Sequence, residues 1–208
     1  PTTLFRSYSC GLSKSLFEIK TAMKKSTVDW KWIIKSNQKI NLSNKNLAKI
    51  FEFFVLKCPV DKISKRSVTF DDLKINQSSF CSVLKKEIPV FKTNWETMES
   101  AKIEEFLQSK KIFDSISKTD CFAYHTNYMK NEINPKDPVR TKLKGLFYCI
   151  RCAFARGDFN IRKYDNKRFY QLQNTVTDKG IEKIKGRILL EEEMLLKMIQ
   201  IIENWEKK

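Results

Sequence analysis

From Ile181 to Trp205, apolar residues recur at a spacing that few folds can satisfy. Ile181, Ile184, Ile188, Leu195, Met198, Ile202 and Trp205 follow a strict alternation of threes and fours, with Glu191 as its one polar member. That period is one face of an α-helix, so the spacing predicts a single long helix from about Thr177-Asp178 to Trp205. Leu189, Leu190, Met194, Leu196, Ile199 and Ile201 widen the stripe well beyond a coiled-coil seam, which calls for more than one packing neighbour. Gly186 weakens such a helix by about 1 kcal/mol relative to alanine. Two readings of the face stay open: packing onto its own domain, or docking onto another chain.

Helical periods also dominate upstream. Residues 13–36 predict two helices broken near Ser26-Thr27. Residues 43–57 predict a helix with Ser43 as N-cap and Leu47, Ile50, Phe51, Phe54 and Val55 on one face, ended by Cys58-Pro59. Residues 78–87 and 94–117 predict two more. Residues 118–137, with Asn134-Pro135 and Asp137-Pro138, read as turn and linker. The fold class expected is therefore mainly α, a helical bundle with a small β-hairpin. It divides into a basic N-terminal helical module over 1–130 and a second module over 137–208, joined near 131–138.

The second module is the sharper one. Asp137-Pro138 supplies an N-cap and a proline at the first helical position, and Gly157-Asp158 closes the helix. Between them Val139, Leu143, Leu146, Phe147, Ile150, Ala153 and Phe154 form an apolar face. Phe159 to Leu172 then alternates around Asp165-Asn166, a two-residue β-hairpin pattern. A helix followed by a basic hairpin resembles the end of a winged-helix domain, in which the hairpin is the wing. The resemblance covers residues 137–175 only. It implies phosphate contacts from the wing and base contacts from a helix. A basic hairpin that merely caps a bundle fits the same residues.

Charge points to the partner. The 208 residues carry 40 Lys+Arg against 24 Asp+Glu, a net charge of +16. So positive a surface favours polyanions: nucleic acid, an anionic membrane face or an acidic protein. Five of the eight arginines fall between Arg140 and Arg168. Arginine grips phosphate bidentately and stacks on bases, so this window is the expected contact surface. The candidate residues are Arg140, Lys142, Lys144, Arg151, Arg156, Arg162, Lys163, Tyr164, Lys167, Arg168 and Tyr170, with Lys/Arg of 14–49 and 62–66 as an auxiliary set. Tyr164 or Tyr170 could stack on an exposed base. The expected function is a non-enzymatic nucleic-acid-binding subunit of a larger complex, binding DNA or RNA. The alternative is an adaptor that docks through Ile181, Ile184, Ile188, Leu195, Met198, Ile202 and Trp205 and turns its basic face to an acidic partner.

Other classes lack their residues. No apolar run reaches the roughly 18 residues that span a bilayer, so no membrane insertion is expected. Phosphate-binding glycine loops, HExxH and GxSxG are missing, and a single histidine rules out a two-histidine metal site. Carboxylate clusters at Asp71-Asp72, Glu104-Glu105 and Glu191-Glu192-Glu193 leave a metal-dependent nuclease open. Six dispersed cysteines suggest free thiols in a reducing compartment rather than a disulfide scaffold. Cys149 and Cys152 form a CxxC, and with Cys121 and His125 they make a weak zinc candidate. Otherwise no cofactor is expected. A basic, thiol-bearing chain fits the nucleus. An acid-free stretch before Glu18 resembles a mitochondrial transit peptide in composition, which makes the mitochondrion the alternative.

Overall fold

The computed structural model describes residues 32, 40–41, 43–60, 69–73, 77–99, 102–109, 121–126 and 138–205. Helix α1 (Lys45–Phe51) runs on into a π-helical turn, Glu52–Lys57. Helices α2 (Gln77–Glu87) and α3 (Val90–Thr93) follow, then strand β1 (Trp95–Met98), helix α4 (Ile103–Ser109) and strand β2 (Phe122–Thr126). The chain continues as α5 (Pro138–Arg156), β3 (Phe159–Tyr164), β4 (Lys167–Asp178), β5 (Ile181–Glu191) and α6 (Glu192–Trp205). The five strands form one sheet in the order β1-β2-β5-β4-β3. β1 and β2 run parallel and every other pair is antiparallel.

The fold is thus a mixed α/β one and not the expected mainly α bundle with a winged-helix-like module. The largest correction lies in the seam itself. Its first half is strand β5, and only Glu192–Trp205 is helical. A bulge explains why the strand imitates a helix. Thr175 pairs with Ile184 but Asn174 pairs with Gly186, so Lys185 is an extra residue in β5. Ile184 lies opposite Thr175, and Ile188 lies opposite Leu172. Those two partners are an odd number of residues apart on β4, so the isoleucines point to opposite faces of the sheet. Both are buried because both faces are covered there. A strand buried on both sides reads as an apolar run, which periodicity alone cannot tell from a helix.

Two further corrections have the same root. The helix expected over 94–117 begins as β1, and α4 occupies only part of the remainder. The turn region of 118–137 contains β2, whose FAYHT is almost wholly buried. Other expectations fit better. Asn44, one residue after Ser43, caps α1 by accepting from the Leu47 amide at 3.1 Å. α5 opens at Pro138 and ends at Gly157, whose φ of +73° is the left-handed cap glycine supplies without strain. The helices of 13–36 and the linker near 131–138, apart from Trp32 and Pro138, lie outside the described residues.

One face of the sheet receives α5. Phe154 packs at a tilt against Phe159 at 5.3 Å and edge-on against Tyr170 at 6.1 Å. α1 and its π-turn pack on α5 through Phe54 and Phe147, 5.9 Å apart. Helix α6 closes this layer with Leu195, Met198, Ile199 and Ile202, all fully buried, and Trp205 reaches Phe80 of α2 at 5.5 Å. Each buried aliphatic contributes roughly 1.5–3 kcal/mol by leaving water. The other face is met by α4, where Phe106 lies 5.3 Å from Tyr124, and by Trp32, 5.7 Å from Phe122.

Gly186 sits where β5 passes closest to its neighbours. A Cβ there would lie 2.9 Å from His125 Cβ and 3.1 Å from Cys149 Sγ. Gly186→Ala should therefore destabilise the protein by about 1–3 kcal/mol, as overpacking does. Urea denaturation measures this, and an unchanged midpoint would show that β2 and α5 both yield freely.

Candidate nucleic-acid interface

Asp165 and Asn166 join β3 to β4 with φ values of +45° and +63°. Positive φ at both central residues is the type I′ turn that matches strand twist, and Asp and Asn tolerate it better than most residues. Pairing runs from Phe159↔Leu172 to Tyr164↔Lys167, so the hairpin forms where the alternation puts it. β3 is an edge strand of the sheet. Lys163 and Tyr164 are exposed near its tip, Tyr164 at 51% of its surface, and Arg162 is half-buried beside them.

Several of the expected contact residues are engaged within the fold. Arg168 donates to Glu192 Oε2 at 3.1 Å, and the buried Tyr170 donates its hydroxyl to the same oxygen at 2.9 Å. Asn46 of α1 donates to the other Glu192 oxygen at 2.9 Å. Burial, with Glu192 beside it, raises the Tyr170 pKa well above the ordinary phenol range. The Tyr170 ring is therefore a core residue and cannot stack on a base. Lys144 is buried and pairs with Asp71 at 3.4 Å. Lys142 donates to the Trp95 carbonyl at 2.9 Å and lies over the indole, 4.6 Å from its centroid. Burial lowers its pKa, helped by the charge of Lys85. Arg156 donates to Asn174 Oδ1 at 3.2 Å and to the Thr175 carbonyl. Arg151 is half-buried on α5. Arg140 lies in the first turn of α5, and its side chain is outside the described residues. Of the auxiliary set, Lys45 and Lys49 are described and exposed, and Lys49 pairs with Glu203 at 3.0 Å.

Lys167 is different. It meets Glu191 at 3.1 Å with 58% of its side chain in water. Such a surface pair holds little free energy, so its ammonium stays open to a competing anion. Lys167 and Tyr164 both line a recess of about 500 Å³ at the end of the sheet, where the hairpin tip meets α3 and the start of α6. Phe169, Asn94, Val90, Pro89, Cys121 and Met194 supply the rest of its wall, with carboxylates at Asp165 and Glu191. Exposed Lys92 lies on α3 and exposed Lys163 on β3. Of the wall residues from 89 to 121, Cys121 enters only the zinc candidate, and Pro89, Val90 and Asn94 carry no site signal. Glu191 figures only as the polar member of the apolar seam and within the Glu191-Glu192-Glu193 cluster.

The docking residues are largely spent on the core. Ile184, Ile188, Leu195, Met198 and Ile202 are buried, which leaves half-exposed Ile181 and partly buried Trp205. The zinc candidate does not assemble, since no three His, Cys, Asp or Glu among the described residues converge on an ion position. His125 is fully buried and uses both ring nitrogens. Trp95 Nε1, which can only donate, meets His125 Nε2 at 2.9 Å, so Nδ1 carries the proton and donates to the Thr126 carbonyl at 2.9 Å. Burial, aided by Lys142, lowers the His125 pKa to about 4. The described cysteines are free and buried, and burial pushes the Cys149 thiol up to about 12, far from a reactive thiolate.

Among the described residues no helix is long and apolar enough to cross a membrane. No family model, no curated protein and no solved structure matches this chain.

His125 is the only histidine, so its proton resonance is unambiguous. Its ring should stay neutral down to about pH 4, where the unfolded chain protonates near 6.5. A depressed folded pKa means that the stability is complete above pH 6.5 and is lost as pH falls towards 4. The loss should be of the order of 3 kcal/mol, and it should shrink in His125→Asn. An NMR titration near pH 6.5 would contradict this packing.

Proposed function

We propose that this protein binds single-stranded nucleic acid at the hairpin tip, as a binding subunit and not a catalyst of strand cleavage. The observation that carries the reading is Tyr164, half in solvent on the wall of the 500 Å³ recess, with Lys163 and Lys167 beside it. An exposed tyrosine ring next to cations is the basic unit of a stacking platform. A duplex keeps its bases stacked and paired, whereas a single strand can turn one out against the ring.

Charge sets the orientation. Asp165 and Glu191 line the recess and repel phosphate, so the backbone stays at the rim, near Arg162 and Lys163, while the base enters. Carboxylates accept hydrogen bonds from exocyclic amino groups, which favours cytosine or adenine over uracil or thymine. The adaptor reading has less support, because most of its seam is consumed inside the fold.

Fluorescence anisotropy tests this with labelled single-stranded RNA and DNA and a matched duplex across a salt series. Tyr164→Ala should weaken single-strand binding by about 5- to 150-fold, the equivalent of one stacked base. Tyr164→Phe should bind nearly as wild type. Arg162→Ala and Lys163→Ala should each flatten the log–log salt slope by about 0.7. Wild-type affinity in Tyr164→Ala, or a preference for duplex, would overturn the reading.

A further inference from the structure

The recess at the hairpin tip is built on one row of the sheet. Glu191 of β5 lies opposite Phe169 of β4, and Phe169 lies opposite Arg162 of β3. Residues paired in this way share a face, so an acid, an aromatic ring and a cation stand side by side. Tyr170, the next residue of β4, meets Phe154 of α5, so the row belongs to the face away from α5. Tyr164 and Lys167, opposite each other, form the next row of that face. Two strand spacings, about 10 Å, separate the backbone of Arg162 from that of Glu191. Glu191, Phe169, Tyr164 and Lys167 all line the recess, whose volume of about 500 Å³ lies in the ordinary range of small-ligand pockets.

The two carboxylates of the recess differ. Asp165 is exposed at the hairpin tip, whereas the Glu191 side chain keeps only 15% of its surface in water. Water competes least for bonds to Glu191, which makes it the acid able to select a base. Lys167 Nζ holds one of its oxygens, Oε2, at 3.1 Å. The pair therefore presents three groups in order: acceptor Oε1, acceptor Oε2, donor Nζ. An exocyclic amino group alone does not separate guanine from adenine and cytosine, because all three carry one. The group beside it does. On its pairing edge guanine follows the amino group with a ring N–H and then a carbonyl oxygen, which is donor, donor, acceptor. Adenine and cytosine follow theirs with a bare ring nitrogen, which would meet Oε2 lone pair against lone pair.

We infer that the recess selects guanine, with Glu191 as the residue that decides the choice. The inference rests on the single-strand reading above and adds the base to it. The amino group donates to Oε1 and the ring N–H to Oε2, a charge-assisted contact of two parallel bonds. The Lys167 ammonium has three donors, so it keeps Oε2 and gives a second N–H to the guanine carbonyl. Tyr164 covers the face of the base. The phosphate falls at the other end of the row, at Arg162.

Fluorescence anisotropy on the full chain tests it with short uridine strands whose central base is guanine, adenine, cytosine, hypoxanthine or uracil, and again with the thymidine DNA equivalents. The guanine strand should bind about 5- to 150-fold tighter than the all-uridine strand, as a two-bond base contact gives. Adenine and cytosine should fall between. Hypoxanthine is guanine without the amino group, and it should cost about tenfold or more, the loss of one hydrogen bond to a charged group. Glu191→Gln turns one acceptor into a donor, so it should bring guanine about level with hypoxanthine. The same variant should bind the all-uridine strand at least as well as wild type, which shows that it folds. Equal affinity for the strands, or a preference for adenine or cytosine, would overturn the guanine inference and leave the single-strand reading standing. So would a guanine preference that survives Glu191→Gln. Binding to no strand would overturn both. Free GMP is the second source of the same base, and it should compete about tenfold more weakly than the guanine strand because it brings one phosphate where the strand brings several. GMP that binds more tightly than the strand would overturn the single-strand reading and support guanine selection.

Discussion

One strand holds this molecule together. β5 pairs with β2 on one side and β4 on the other, so hydrogen bonds from both halves of the sheet converge on it. Helices cover one of its faces, and α4 with Trp32 meets the other. Its bulge at Lys185 lets Ile184 serve one face and Ile188 the opposite one. Gly186, next to the bulge, gives His125 and Cys149 room to approach. The neutral imidazole follows from that crowding, because the closeness that excludes a Cβ also excludes the water a charged ring would need.

The charge of the chain looks different once its pairs are known. A net charge of +16 says that the surface is basic without saying which cations are available. Glu192, in the first turn of α6, gathers Arg168, Tyr170 and Asn46, and so fastens β4 and α1 to the helix start. A carboxylate there is also favoured by the helix dipole. Lys144 is taken by Asp71 in the same way. At the hairpin the exposed cations are Lys163 of β3 and Lys167 of β4, fewer than the sequence count.

The parts of the fold legible in the sequence were those set by local chemistry. Asp165-Asn166 specifies its turn through backbone preference, and Pro138 and Gly157 punctuate α5 for the same reason. β5 was not legible, because a bulged, doubly buried strand carries apolar residues at helical intervals. β2 was hidden by its brevity and by the turn-forming residues after it. At the site, Tyr164, Lys163 and Arg162 could be picked out since, among the described residues, nothing distant claims them. Arg168, Tyr170 and Lys144 could not be set aside, because their partners lie 22 to 73 residues away. That Asn160, Gln171, Gln173 and Arg187 are buried was invisible for the opposite reason, since residues of these types read as a solvated strand face.

β5 passes into α6 without a loop, Glu191 ending the strand and Glu192 opening the helix. A loop absorbs the addition or loss of a residue, whereas a rigid junction transmits it. One residue inserted here would turn α6 by about 100° about its axis and advance it by about 1.5 Å. The Leu195, Met198 and Ile202 row would swing away from the core, and the Glu192 carboxylate would leave its three donors. The gene for this chain should thus tolerate changes of length in the turn at Lys179-Gly180 and almost none twelve residues later. In evolutionary terms the strand–helix joint is a reading frame of its own, in which substitution is allowed and insertion is not.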